Sequence, residues 1–148
     1  MSDELNRIAD ALERLVPAPV DLPDLSKANV FIWNVRPDRI EEVLGFNNVN
    51  LNILRGIDSA KETLLRNTKQ FANGFPANNA LLWGARGMGK SSLVKAVFKK
   101  ISESTKLLKP IEIQREDLSS INRLLVRLKD QNYRFLLFCD DLSFDGQD

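Results

Sequence analysis

A glycine-rich segment is the part of this chain best suited to chemistry. Residues 84–91 read G-A-R-G-M-G-K-S, which is the spacing G-x-x-x-x-G-K-S. Glycines at these positions let backbone N–H groups wrap around a phosphate, because side chains there would block the approach or forbid positive φ angles. Lys90 can follow the β- and γ-phosphates as charge develops, and the Ser91 hydroxyl suits Mg²⁺. The segment therefore predicts a phosphate-binding loop (P-loop, or Walker A motif) for a nucleoside triphosphate.

The residues expected to hold the nucleotide are those of the motif and the one that follows it. They are Gly84, Ala85, Arg86, Gly87, Met88, Gly89, Lys90, Ser91 and Ser92. Lys90 is also the expected catalytic cation. Arg86 lies inside the loop and is expected to be a solvated residue or a contact to a neighbouring subunit.

The loop needs a strand before it and a helix after it. Residues 80–83, an apolar run, predict the strand, and residues 92–101 predict the helix because their apolar residues recur on one face. The apolar face consists of Leu93, Val94, Val97, Phe98 and Ile101. The helix N-terminus would add a favourable dipole for an anion.

A second motif supplies carboxylates. Residues 135–139 form an apolar run that predicts a buried parallel strand, and Asp140 and Asp141 follow it. In this Walker B pattern Asp140 would hold Mg²⁺, usually through water, and Asp141 would orient the attacking water as general base. Glu is usual at the second position, and the shorter Asp falls about 1 Å back, a misplacement that can cost about 100-fold in rate. The alternative for Asp141 is a helix cap or a solvated acid.

The segment between the motifs alternates strands and helices. Residues 111–113 predict a short strand, and a second amphipathic helix is expected behind Asp117 as its N-cap. The order strand, helix, strand, helix, strand predicts an α/β fold with a parallel sheet. The P-loop class with an acid beside the Walker B Asp has a three-layer αβα core (the ASCE type).

Several further motifs make the resemblance more specific. From about Gly56 to Phe144 the chain resembles the bacterial AAA+ ATPases grouped as domain of unknown function 815. The resemblance depends on Gly56-Ile57-Asp58, Arg66-Asn67-Thr68, Pro76-Ala77-Asn78-Asn79, the P-loop, and Phe138-Cys139-Asp140-Asp141-Leu142-Ser143-Phe144. It implies an ATP-binding AAA+ core with Mg²⁺, while the family has no settled cellular role. It also implies that Gly56 and Ile57 lie near the adenine ring, the alternative being an ordinary loop and core contact.

In such ATPases a further strand lies between the Walker A and Walker B strands, followed by an arginine finger region and a helical lid. This sequence stops at Asp148. We therefore expect a fragment or truncated product with an incomplete sheet, which would bind ATP better than it hydrolyses it. The resemblance also implies a homo-oligomer that acts on an unknown macromolecule.

Upstream of residue 55 the pattern is less informative. We expect an amphipathic helix at 1–16, a linker and N-terminal extension at 17–54, and the partial ATPase core at 55–148. The helix would pack on its own domain or against a partner protomer. Residues 30–33 suggest a short strand or a hydrophobic anchor, with Trp33 in the core.

Composition excludes several other functions. The 148 residues carry a net charge of +1, one cysteine and no histidine. These values argue against a generally basic nucleic-acid surface, an internal disulfide, a zinc site and histidine catalysis. No apolar run approaches the roughly 20 residues of a membrane span, and the acidic start is not a signal peptide, so a cytoplasmic location is predicted.

Three functional hypotheses follow from the sequence. The first is an ATP-hydrolysing AAA+ module, and the second is a nucleotide-gated interaction module with slow hydrolysis. The third is a catalytically silent remnant that keeps the loop's shape. A GTPase or small-molecule kinase is disfavoured because the chain has no guanine-specific Asn-Lys-x-Asp segment.

Overall fold

Helices and strands alternate along most of the chain. A computed structural model describes residues 2–15, 22–35, 37–43, 50–54, 56–85 and 87–140. Its elements are α1 (Ser2–Leu15), β1 (Val30–Val35), β2 (Asp38–Val43), α2 (Asp58–Ala72), α3 (Lys90–Ser102), β3 (Leu108–Ile113), α4 (Ile121–Leu128) and β4 (Arg134–Cys139). Short 3-10 turns occupy Leu51–Ile53 and Arg115–Ser120.

The described strands form one sheet in the order β2-β1-β3-β4. β1 and β2 form an antiparallel hairpin, whereas β1 runs parallel to β3 and β3 runs parallel to β4. The chain is therefore an α/β protein with a mostly parallel sheet, and the strands predicted around 111–113 and 135–139 are confirmed. Residues 30–43 belong to this same sheet, although the sequence analysis placed them in an N-terminal extension. β1 pairs with β3, which lies more than 70 residues later in the sequence, so local sequence patterns do not predict this pairing.

The core lies on both faces of the sheet. On one face α2 and α3 pack around Val97 and Phe98, and on the other α4 packs around Trp33. Trp33 is fully buried, and its indole Nε1 donates a hydrogen bond to Ser120 Oγ at 2.6 Å. Ser120 Oγ in turn donates to the Asp117 carbonyl at 2.5 Å. The predicted N-cap role of Asp117 is wrong, because Asp117 lies in a 3-10 turn and the helix begins at Ile121.

The strand predicted for residues 80–83 is not formed. This segment is irregular, and the side chains of Leu81 and Trp83 are 66% and 88% exposed. Within the described ranges it pairs with no strand, and β4 pairs only with β3. An apolar run becomes a strand only when a neighbouring strand accepts its hydrogen bonds. The described sheet therefore ends at β4, beside this segment.

Helix α1 is confirmed, but its expected packing on its own domain is not. Every described side chain from Glu4 to Ala11 is exposed, including Leu5 at 66% and Ile8 at 57%. A contact between this helix and a partner protomer stays a prediction. Among the helices that the structure describes, none has the length and hydropathy needed to cross a membrane.

Candidate functional site

The glycine loop, defined as residues 84–91, joins the irregular segment to helix α3. Gly87 and Gly89 have φ angles of 82° and 78°, which residues with a Cβ rarely adopt. A Cβ built on Gly84 or Gly87 would meet no atom within 4 Å. The loop backbone is therefore exposed to open space on the side where these glycines lie, as the backbone of an anion cradle must be.

Helix α3 begins at the loop and is fixed by its buried face. The five apolar residues predicted for that face are all buried, namely Leu93, Val94, Val97, Phe98 and Ile101. Gly89 precedes the helix without a side-chain cap. The first N–H groups of this 13-residue helix are therefore left to bind an anion, which the helix dipole also favours.

Lys90 folds back over the loop. Its Nζ donates to the carbonyl oxygens of Gly84 at 2.9 Å and Ala85 at 2.8 Å. These contacts hold the ammonium group at the loop, so that it can exchange backbone oxygens for phosphate oxygens without a large movement. The role predicted for Lys90 toward phosphate stays a prediction.

Ser91 and Asp140 are in contact although 49 positions separate them in sequence. Ser91 Oγ donates to Asp140 Oδ1 at 2.5 Å. They meet because the N-terminus of α3 and the carboxyl end of β4 lie at the same edge of the sheet, where ligands of parallel sheets gather. A hydroxyl and a carboxylate so placed offer two oxygen ligands, and these suit Mg²⁺.

The described residues hold no cluster of three or more side chains of His, Cys, Asp or Glu that could bind a metal alone. Mg²⁺ keeps several waters and takes only one or two protein carboxylates beside substrate phosphates. The donor set of Ser91 and Asp140 therefore fits a phosphate-bound Mg²⁺ better than a structural metal centre.

A cleft of about 1250 Å³ runs from this polar contact between α3 and β4. Among the predicted site residues it is lined by Gly84, Gly87, Gly89, Lys90, Ser91, Ser92 and Asp140. Ala85 contributes the carbonyl that binds Lys90, whereas the Met88 side chain is 59% exposed and does not line the cleft. Arg86 and Asp141 lie outside the described residues.

Gly56 and Ile57 occupy a different place. They line a second cleft of about 960 Å³, which lies between α2 and residues 76–82. Ile57 also packs against the core formed by α2 and α3. This cleft adjoins the cleft of the glycine loop, because residues 77–82 line both. The adenine contact expected for Gly56 and Ile57 stays a prediction.

Leu54 is a contact of the loop that sequence reasoning missed. Its Cδ2 atom lies 3.8 Å from the position that a Cβ on Gly89 would take. A single leucine after a 3-10 turn carries no signal in the sequence, because its role depends on a contact across 35 positions. Leu54 also packs against the apolar cluster that contains the buried face of α3.

Cys139, directly before Asp140, has an unreactive environment. It is half-buried at the end of β4, and burial followed by the negative charge of Asp140 raises the pKa of its thiol. A thiol with a raised pKa carries little thiolate at neutral pH and is a poor nucleophile. The strand predicted at Cys139 is confirmed, but its burial is only partial, because the described sheet ends at β4.

The match to a family decides the classification. The sequence model described as "Protein of unknown function (DUF815)" matches residues 26–148. The chain belongs to this family. The match includes the glycine loop, Asp140 and every strand of the described sheet, and it leaves helix α1 outside. No curated protein and no solved structure matches the chain significantly.

Proposed function

We propose that this member of the DUF815 family binds Mg²⁺-ATP at the glycine loop, as a P-loop ATPase of the AAA+ type with a three-layer αβα core. The contact between Ser91 and Asp140 is the observation that carries the proposal. It joins the two motifs that chemistry requires to meet, and it does so beside the open face of the loop and next to Lys90. A glycine-rich turn that binds no ligand would not require a carboxylate, such as that of Asp140, beside Ser91.

Binding would use the loop backbone and α3 together. The N–H groups of the loop and of the first helical turn donate to phosphate oxygens, and the helix dipole adds to their attraction. Lys90 exchanges its contacts with the Gly84 and Ala85 carbonyls for contacts with the β- and γ-phosphates. Each exchange replaces a neutral acceptor with a charged one, so the resulting hydrogen bonds are stronger.

Ser91 and Asp140 would hold Mg²⁺, which neutralises phosphate charge when it is bound. Ser91 would turn its hydroxyl hydrogen away from Asp140 and present an oxygen lone pair. Asp140 would act directly or through water. Asp141 keeps its proposed role as the base that orients water. Work on a macromolecule within a homo-oligomer is proposed from the family resemblance.

A second candidate function is a nucleotide-gated interaction module. Trp83 and Leu81 favour it, since both are exposed apolar side chains on the segment that enters the loop. A ligand that orders the loop would also order this segment and could change what it contacts. Phosphate release compared with ATP affinity distinguishes this candidate from an active ATPase.

The test of the proposal is the Mg²⁺ dependence of ATP binding. We expect calorimetry on the 148-residue chain to show ATP binding that Mg²⁺ strengthens by about tenfold or more, since the ion offsets phosphate charge. Asp140→Asn keeps the shape of the side chain but removes its charge. It should lose most of the Mg²⁺ increment while changing affinity in EDTA by less than about threefold. Phosphate release is measured in the same samples.

Asp130→Asn is the matched control, because Asp130 is an exposed aspartate in the turn after α4. It should bind ATP as the wild type does, with and without Mg²⁺. A folded wild-type chain that does not bind ATP would contradict the proposed function. An Mg²⁺ increment that survives in Asp140→Asn would contradict the metal site but leave nucleotide binding in place.

A further inference from the structure

The segment that leads into the glycine loop is held by a side chain of helix α2. Residues 76–83 lead to the loop, and in the part of the chain that the structure describes no strand pairs with them. Asn67 on helix α2 bonds to this segment instead. Its Nδ2 donates to the Asn78 carbonyl at 2.7 Å, and the Asn78 N–H donates to Asn67 Oδ1 at 3.1 Å. The carboxamide thus makes both hydrogen bonds of one residue, as a neighbouring strand would.

These two hydrogen bonds constrain more than a single one would. One hydrogen bond fixes mainly a distance, whereas a donor and an acceptor on the same planar group also fix the rotation of the bonded backbone. Gln70 adds one contact nearby, since its Nε2 donates to the Pro76 carbonyl at 2.5 Å. Arg134 adds another to the Gly74 carbonyl at 2.9 Å. Of these three side chains, Asn67 binds the segment closest to the loop. We call its two hydrogen bonds to Asn78 the Asn67 clamp.

The helix that carries the clamp is itself held in the core. Thr68 and Ala72 are buried, and Ala72 belongs to the same apolar cluster as Val97 of α3. Asn67 therefore ties the entry segment to a helix that packs on α3, which begins at the loop. The segment before the loop and the helix after it are therefore both attached to the packed pair of helices α2 and α3.

The clamp matters most when a ligand is bound. Without a ligand, Lys90 holds the first residues of the loop through the Gly84 and Ala85 carbonyls. Under the proposed function Lys90 gives up those contacts for phosphate. The Asn67 clamp, which binds the backbone at Asn78 six residues before Gly84, then remains to fix the direction in which the backbone enters the loop.

We propose that Asn67 is a positioning residue for the glycine loop, acting through its two hydrogen bonds to Asn78. The inference rests on the proposed nucleotide binding. It also gives a physical reason for two motifs, Arg66-Asn67-Thr68 and Pro76-Ala77-Asn78-Asn79, that the chemistry of the phosphate site does not explain. Each motif supplies one side of the same clamp.

The test compares ATP affinity with the local motion of Trp83, which lies on the clamped segment and is 88% exposed. Asn67→Ala removes both hydrogen bonds and should weaken ATP binding about tenfold. Asn67→Asp keeps the side-chain volume and the acceptor but loses the donor, so it should weaken binding similarly. In both variants the decay of Trp83 fluorescence anisotropy should have a larger fast component, which reports greater local motion of that side chain. The contribution of Trp33 is measured in a Trp83→Phe chain.

Asn79→Ala is the control, because Asn79 is an exposed asparagine next to the clamp. It should leave ATP affinity and anisotropy unchanged. Circular dichroism melts identify folded variants, and Asn67→Asp serves if Asn67→Ala does not fold. A general loss of stability would lower the melting temperature without a selective change at Trp83, and this result overturns the proposal. Equal ATP affinity in wild type and both variants also overturns it. A wild type that fails to bind ATP overturns the proposed function and this role together.

Discussion

Lys90→Ala is expected to weaken ATP binding by about 100-fold or more, because charge-assisted contacts to phosphate are the strongest that the site can offer. The structure places the Lys90 ammonium at the loop, within 2.9 Å of the Gly84 carbonyl. The substitution removes this charge and also the two hydrogen bonds that hold the loop before a ligand arrives. Calorimetry with Mg²⁺-ATP measures the loss directly.

Lys100→Ala provides the comparison on the same helix. Lys100 is exposed near the end of α3 and contacts Glu103 at 3.1 Å. Its removal changes the net charge of the chain by the same amount, so any effect of overall charge appears in both variants. Affinity should stay within about twofold of the wild type, as for other exposed ion pairs. Equal losses in the two variants would mean that Lys90 acts only through long-range charge.

Trp33→Ala is expected to lower the free energy of unfolding by about 3–5 kcal/mol, the usual cost of removing a large buried aromatic side chain. Trp33 is fully buried, and its indole supplies the hydrogen bond to Ser120 Oγ. The Arg127 guanidinium lies 5.7 Å from the ring centroid and loses its contact as well. Urea denaturation followed by circular dichroism measures the change. Because small domains have only about 5–15 kcal/mol in total, this loss is a large fraction of the stability of the chain.

Trp83→Ala makes the same substitution at a surface position. The Trp83 side chain is 88% exposed, so its removal should change the free energy of unfolding by less than about 0.5 kcal/mol. A large destabilisation here would show that Trp83 is covered in solution. A small effect of Trp33→Ala would show that β1 is not part of the core.

The contact between Ser91 and Asp140 was predictable because it depends on short motifs. The spacing of residues 84–91 and the run that ends at Asp140 were sufficient to predict that Ser91 and Asp140 would serve one site, and the structure brings them into contact. Helix α3 was predictable for a similar reason, since a buried helical face repeats within a few turns of the chain. Local sequence contains all of this information.

Strand pairing was less predictable, because it is decided by residues far away in sequence. The run at 80–83 is as apolar as β1, yet in the described part of the chain it pairs with no strand, whereas Phe31 of β1 pairs with Ile111 and Trp33 with Ile113. Apolar content alone does not distinguish the two runs. The position of Gly56 and Ile57 beside the cleft between α2 and residues 76–82 has the same origin, since it depends on how α2 packs and not on their residue types.

The contacts of Lys90 with its own loop have a consequence for the choice of ligand. An arriving anion does not meet a bare cation, since the ammonium already has two carbonyl partners. A halide offers one compact charge and cannot replace two separated acceptors, whereas a polyphosphate presents several oxygens along a chain. Under the proposed function, the two carbonyl oxygens would therefore compete with an incoming anion for the Lys90 ammonium, and an extended oxyanion would displace them more readily than a halide.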